Sequence, residues 1–183
     1  VGFAAVPQLL TKVAEDFLWA AQVCKELGYT EVNLNLGCPS GTVVSKGKGS
    51  GMLRDLAALC RFLDEVFSKS VLPVSIKTRL GLESPEEFPA ILEIYNRYPV
   101  KELTIHPRVR KQFYDGAVDK EMFRYAAQNS RNRLCYNGDS TDLAQIDALQ
   151  KQFPQLGSVM IGRNLIADPG MLCGGTDKAA LEA

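Results

Sequence analysis

Glu31-Val32-Asn33-Leu34-Asn35-Leu36-Gly37-Cys38-Pro39 reads as one strand and the loop that ends it. The strand covers Glu31–Gly37; Gly37 and Pro39 break the extended run and present the Cys38 thiol at a loop. Working outward, similar short runs recur at Gly2–Gln8, Pro73–Arg79, Glu102–His106, Arg133–Asn137 and Ser158–Gly162. Helical patterns separate them. Val13, Phe17, Ala20, Ala21, Cys24 and Leu27 fall on one face before Gly28; Leu53, Leu56, Leu59, Leu63 and Val66 make a second stripe. Ser84-Pro85-Glu86-Glu87 carries an N-cap Ser, a Pro at the first helical position and a Glu three residues after the cap. A further helix is expected near Asp119, and another through Leu143, Ile146, Leu149 and Phe153.

Strand–helix alternation of this kind predicts an α/β fold, a parallel sheet covered by helices. A (β/α)₈ TIM barrel and an open doubly wound sheet fit the pattern equally well. A full barrel needs roughly 250 residues, and βαβ units of about 30 residues leave this 183-residue chain two units short. With Val1 opening the chain in place of a Met, the barrel expectation is of six units in eight, the N-terminal two missing, and of no signal peptide.

Composition narrows the function classes. The apolar share of 46% with 23% charged residues is ordinary for a water-soluble domain, and no apolar run reaches the length of a membrane span. Lys and Arg number 21 against 21 Asp and Glu, so no global field recruits nucleic acid, and any phosphate binding must come from local placement. Five cysteines without a C-x-x-C pair argue for a reducing compartment, taken as the cytoplasm. A single histidine excludes His-rich metal sites, and no metal is expected.

In parallel α/β folds the chemistry sits at the carboxyl ends of the strands. Those positions carry Gln8, Asn35 with Cys38, Lys77-Thr78-Arg79, His106-Pro107-Arg108, Asn137-Gly138-Asp139 and Gly162-Arg163-Asn164. Cations ending otherwise apolar strands are costly unless an anion meets them, which points to an anionic cofactor. Gly47-Lys48-Gly49-Ser50-Gly51 follows no strand and misses both nucleotide-loop spacings; it reads as a flexible loop with basic side chains.

Asn35-Leu36-Gly37-Cys38-Pro39, followed by Lys46 and by Gly49-Ser50-Gly51-Met52-Leu53, resembles the signature of the tRNA-dihydrouridine synthases. The companions come in order: Val74-Ser75-Ile76-Lys77-Thr78-Arg79-Leu80-Gly81, Thr104-Ile105-His106-Pro107-Arg108 with Tyr114-x-Gly116, then Asn137-Gly138-Asp139 and Met160-Ile161-Gly162-Arg163. Asn33 stands where an Asp is common, Pro107 where a Gly or Thr is common, and Lys120 where an aromatic is common.

The resemblance implies an FMN-binding barrel over residues 1–173 and, at 174–183, the start of a linker toward a C-terminal helical domain. It implies reduction of uridine in tRNA to 5,6-dihydrouridine, with NADPH or NADH as electron donor, tRNA as partner, and no protein partner or membrane. Gln8, Lys77 and His106 resemble flavin-contacting residues, while Asn137, Gly138, Asp139, Gly162 and Arg163 resemble the FMN phosphate site. Asn35 resembles the residue beside flavin and uracil, and Cys38 the proton donor. On the same rim Lys46, Lys48, Arg79, Arg108 and Arg110 are expected to meet substrate. Two alternatives are an FMN barrel acting on a free pyrimidine, like dihydroorotate dehydrogenase, and a non-catalytic RNA-binding remnant.

The chemistry suits these residue types. Uracil C6 is electrophilic because its double bond is conjugated to the C4 carbonyl, and hydride addition there leaves an enolate needing a proton at C5. A general acid must hold its proton at neutral pH. A cysteine thiol, ordinarily with a pKa of about 8.5, does so without tuning.

Overall fold

The computed structural model describes residues 5–139 and 142–173. The expected linker at 174–183 and the first residues of the expected first strand, Gly2 to Ala4, lie outside them. The strands are β1 Gln8–Leu9, β2 Val32–Leu36, β3 Val74–Arg79, β4 Leu103–His106, β5 Leu134–Tyr136 and β6 Leu156–Val159. The helices are α1 Ala14–Glu26, α2 Gly41–Val44, α3 Leu56–Lys69, α4 Phe88–Tyr95, α5 Lys120–Asn129, α6 Leu143–Gln152 and α7 Arg163–Ala167.

All strand pairs are parallel, and the sheet runs β1-β2-β3-β4-β5-β6 in chain order. A doubly wound sheet reverses its strand order at a switch point; this one never does. With right-handed crossovers, sequential order keeps every helix on one face.

The side-chain alternation agrees. On the helix-covered face, Leu34, Ile76, Leu103 and Leu134 stand in register across four strands, each at most 3% exposed. The opposite face is polar: Gln8 pairs with Asn33, Asn33 with Ser75, Asn35 with Lys77, Lys77 with Thr104, and Arg79 with His106. Helices packed on that face would bury those groups against apolar side chains, at a cost of a few kcal/mol for each left unpaired. The fold is an incomplete (β/α)₈ barrel, six strands of its wall with a polar lumen.

The core lies between this wall and the helices. In α3, Leu59, Phe62, Leu63 and Val66 recur at helical spacing and are buried, and Phe62 meets Phe17 of α1 edge to face at 6.3 Å. Burying such side chains stabilises by roughly 1.5–3 kcal/mol each. Phe123 packs edge-on against Tyr136 at 4.9 Å and Phe153 at 5.1 Å, pinning α5 and α6 to β5. The helix starts carry their caps: Asp55 accepts from Ala58 N, Asp119 from Met122 N and Asp142 from Gln145 N.

Several boundaries differ from the sequence reading. β1 is two residues long and begins at Gln8, since Pro7 has no N–H and offers the ladder only its carbonyl, which takes Asn33 N at 2.8 Å. β6 begins at Leu156 and not Ser158, with a register shift against β5 between Leu134 and Cys135. At Gly157 the Arg133 side chain lies over the backbone, where a Cβ would displace it. Val13 and Leu27 flank α1, and Leu27 is 71% exposed. Pro85–Glu87 forms a 3-10 turn, and α4 starts only at Phe88.

The Gly47–Gly51 segment is the largest correction. It is a packed turn, not a flexible loop: Gly49, Ser50 and Gly51 are buried at the start of a 3-10 helix spanning Gly49–Arg54. Gly49 adopts φ +56°, and a Cβ on it would come within 2.9 Å of the Cys38 Cβ.

Candidate active site

At the carboxyl ends of the strands the polar lumen opens into a cavity of about 320 Å³. That falls at the small end of the range for ligand sites. Its wall contains Gln8, Asn35, Cys38, Lys77, Arg79, His106, Asn137, Gly138, Asp139, Gly162 and Arg163, drawn from all six strand ends. Lys46, Lys48, Arg108 and Arg110 do not line it.

The amide side chains form a chain across the lumen. Asn33 Nδ2 donates to Ser75 Oγ at 2.9 Å, Gln8 Nε2 to Asn33 Oδ1 at 2.8 Å, and Asn35 Nδ2 to Gln8 Oε1 at 2.8 Å. Asn35 Oδ1 in turn accepts from Gly37 N at 3.0 Å and Cys38 N at 2.9 Å. The half-buried Cys38 thiol thus sits on a turn whose amide groups are tied to β2 itself.

Arg79 is 2% exposed and donates from Nε to Gly37 O at 2.9 Å and from Nη1 to Val109 O at 3.1 Å. It joins the Cys38 turn to the loop after β4 and forms part of the cavity wall, not a rim facing bulk RNA. Arg108 corrects the sequence expectation more sharply. Also 2% exposed, it donates to Gly116 O, to His106 Nε2 at 3.1 Å and to both oxygens of Asp139. Its charge is used internally, because a buried guanidinium must be paired. Arg110 lies with its guanidinium 5.7 Å from the Phe113 ring.

These bonds set the electrostatics. Burial, reinforced by Arg79, pushes the Lys77 amine down to about 8, and no carboxylate among the described residues pairs with it. Burial, with the charges of Arg79, Lys77 and Arg108, pushes His106 down to about 3. Arg108 can only donate, so His106 Nε2 is an acceptor and the imidazole proton lies on Nδ1. The hydrogen bond from Arg108 holds the Asp139 carboxyl below its usual range, and Arg163 stands 3.6 Å from the same carboxylate. Among the described residues, Lys77, Arg79 and Arg163 therefore face the cavity against Asp139 alone, a balance that favours an anionic ligand.

Asn137 Nδ2 donates to Met160 O at 2.9 Å, tying the loop after β5 to the one after β6. Gly138 is required by the close Tyr136 phenol, which a Cβ would overlap.

Tyr114 also belongs to the site, although the sequence marks it only as the first residue of the Tyr114-x-Gly116 pattern. Its ring carries Arg163 at 4.1 Å and Arg79 at 5.5 Å and meets His106 edge-on at 5.9 Å. Met160, Ile161 and Asn164 line the cavity too; the sequence sets them at the last strand end without giving them a role.

His106 gives a pH prediction. The folded chain keeps the imidazole neutral, whereas the unfolded chain takes up a proton below about pH 6.5. The unfolded state then binds more protons, so stability is lost as pH falls from about 6.5 toward 3 and is independent of this group above about pH 7. His106→Gln, which keeps an acceptor for Arg108, should flatten the acid limb of urea-unfolding free energy between roughly pH 6 and 4. Parallel pH curves for the two proteins would remove the assignment.

A family model described as dihydrouridine synthase matches residues 4–181. Among curated proteins, the probable tRNA-dihydrouridine synthase of Rickettsia bellii is 29% identical over 155 residues, covering 84% of this chain and 47% of that protein. A probable tRNA-dihydrouridine synthase of Staphylococcus aureus is 32% identical, covering 85% and 48%. The tRNA-dihydrouridine synthase B of Proteus vulgaris is 31% identical, covering 81% and 46%. The chain spans about half the length of these relatives. Among solved structures, Proteus mirabilis N-acetylneuraminate lyase superposes with a TM-score of 0.59 at 13% identity, covering 84% of this chain and 51% of that one, a likeness of fold alone.

Proposed function

Because the chain belongs to the dihydrouridine synthase family, whose model spans residues 4–181, we propose that it reduces uridine in tRNA to 5,6-dihydrouridine with Cys38 as proton donor. The observation that carries this reading is the shared cavity: a thiol on a clamped turn opens onto the same space as Lys77, Arg79, His106 and Arg163.

The donor set fits FMN. Excess positive charge, with Lys77 depressed to about 8 by burial and by Arg79, suits a phosphate and an electron-rich ring. Gln8, Lys77 and His106 would hold the ring, and Asn137, Gly138, Asp139, Gly162 and Arg163 the phosphate. Bound there and reduced by NADPH or NADH, FMN would supply the hydride for uracil C6. Lys77 would balance negative charge on the ring, and His106 offers its Nδ1 proton as a neutral donor. Asn35 holds the Cys38 amide and would stand beside the uracil. As the C5=C6 electron pair moves toward C5, Cys38 Sγ gives its proton to that carbon. The thiolate left behind regains a proton from solvent, so each turnover adds two hydrogens to the base.

A base within folded tRNA must be extruded, at a cost of a few kcal/mol. Lys46 and Lys48 would grip the backbone, because they immediately precede the buried Gly49–Ser50 turn that packs on Cys38. Lys46→Ala with Lys48→Ala should weaken tRNA binding and flatten its salt dependence by roughly 0.7–0.9 log units per log unit of salt for each phosphate no longer neutralised. FMN affinity should not change. Equal salt slopes for wild type and variant would remove these lysines from the RNA surface.

The deciding assay incubates the flavin-loaded protein with NADPH and unmodified tRNA and follows the base by mass spectrometry. A gain of two hydrogens on a uridine supports the proposal. Reduction of free uracil or orotate with tRNA untouched would favour a free-pyrimidine enzyme, and a protein that holds no flavin would favour a binding remnant.

A further inference from the structure

The turn after α2 wraps the peptide of Cys38 closely. Ser50 is fully buried and aims both of its donors at one atom, the Cys38 carbonyl oxygen: its backbone N at 3.1 Å and its Oγ at 2.8 Å. Gly49 beside it lies so close that a Cβ would come within 2.9 Å of the Cys38 Cβ and 3.0 Å of the Cys38 carbonyl oxygen. Gly51 is equally confined, its would-be Cβ 2.9 Å from Val44 O. On the other side of the same residue, Asn35 holds Cys38 N, and Arg79 holds the preceding carbonyl of Gly37. The N–H and C=O of Cys38 are therefore both fixed, which leaves side-chain rotation as the thiol's main freedom.

Asn35 and Arg79 line the cavity themselves, so their removal would disturb the ligand as well as the thiol. Ser50 does not line it. From this separation we infer that Ser50 is a positioning residue for Cys38, acting on proton delivery to C5 through the Cys38 carbonyl and touching neither cofactor nor substrate. The inference rests on the proposed role of Cys38 as general acid. A thiol out of place by a fraction of an ångström loses rate without losing its ligands.

A double-mutant cycle tests it on the flavin-loaded protein. The readouts are the single-turnover oxidation of the reduced protein by tRNA, its reduction by NADPH, and its tRNA affinity. Ser50→Ala should slow tRNA-dependent oxidation roughly three- to ten-fold, the rate equivalent of one hydrogen bond. NADPH reduction and tRNA affinity should stay at wild-type values. In a Cys38→Ala background the same change should slow the reaction by less than about two-fold, because the group it positions is gone. A general structural defect would instead lower the rate equally in both backgrounds, or lower tRNA affinity and flavin reduction together, and either result overturns the inference. A wild-type rate for Ser50→Ala overturns it too. If Ser50→Ala does not fold, Ser50→Cys, which keeps a weak donor at the same place, is read through the same cycle. A wild-type rate for Cys38→Ala alone would remove the general-acid reading itself, an outcome distinct from a failure at Ser50.

Discussion

Cys38→Ala should lose about 10²–10⁴-fold in tRNA reduction, the span a positioned general acid contributes, while keeping FMN and its NADPH oxidation by oxygen. The thiol belongs to the turn after β2, and its amide and carbonyl are held from opposite sides by Asn35 and Ser50. Alanine keeps all of those backbone bonds and fits the space, so the turn should survive and only the transferable proton should go. Cys24 is packed in α1, and the half-buried Cys60 lies in α3 against the core; Cys24→Ala and Cys60→Ala should change stability without changing the rate. A dihydrouridine yield in Cys38→Ala equal to wild type would take the proton away from this residue.

Arg163→Ala should weaken FMN binding by about one to two decades, the equivalent of the roughly 1.5–3 kcal/mol carried by a hydrogen bond to a charged group. Arg163 opens α7 in the segment after β6, stacks on Tyr114 at 4.1 Å and faces Asp139 at 3.6 Å. The ring holds the guanidinium in place before any phosphate arrives, which limits the entropy lost on binding. Once FMN is saturating, the tRNA Michaelis constant should be nearly unchanged, since Lys46 and Lys48 lie outside the cavity wall. Flavin fluorescence titration at fixed salt reads the first effect and steady-state kinetics the second. Wild-type FMN affinity in Arg163→Ala would move the phosphate away from the last two loops.

Much of this site is legible because strand ends are marked in the chain itself. Strands β2 to β5 each stop at or just before a Gly or a polar residue, and in a parallel sheet those ends converge. The periodicity of β2, Val32-Asn33-Leu34-Asn35-Leu36, already carries both faces of the wall in five letters. What it does not carry is which arginine reaches which carbonyl. Arg79 and Arg108 look alike in sequence, two cations at strand ends. One clamps the Cys38 turn to the loop at Val109, while the other neutralises Asp139 and turns His106 Nε2 into an acceptor.

By itself the sequence determined the α/β alternation, the roster of polar strand ends and the signature that carries the family resemblance, because these depend on local spacing and residue type. It left the barrel and the doubly wound sheet equal on pattern, since both are built from the same βαβ unit. Strand order decided that, and only tertiary pairing defines strand order. The glycine-rich turn shows the same division. Gly47 to Gly51 reads locally as a flexible basic loop, because glycine signals freedom when nothing is packed against it. In the folded chain Gly49 and Ser50 are pressed onto Cys38, and there the absence of a Cβ permits close approach. Which meaning a glycine takes depends on the neighbour it meets, and a neighbour eleven residues away along the chain is chosen by the fold.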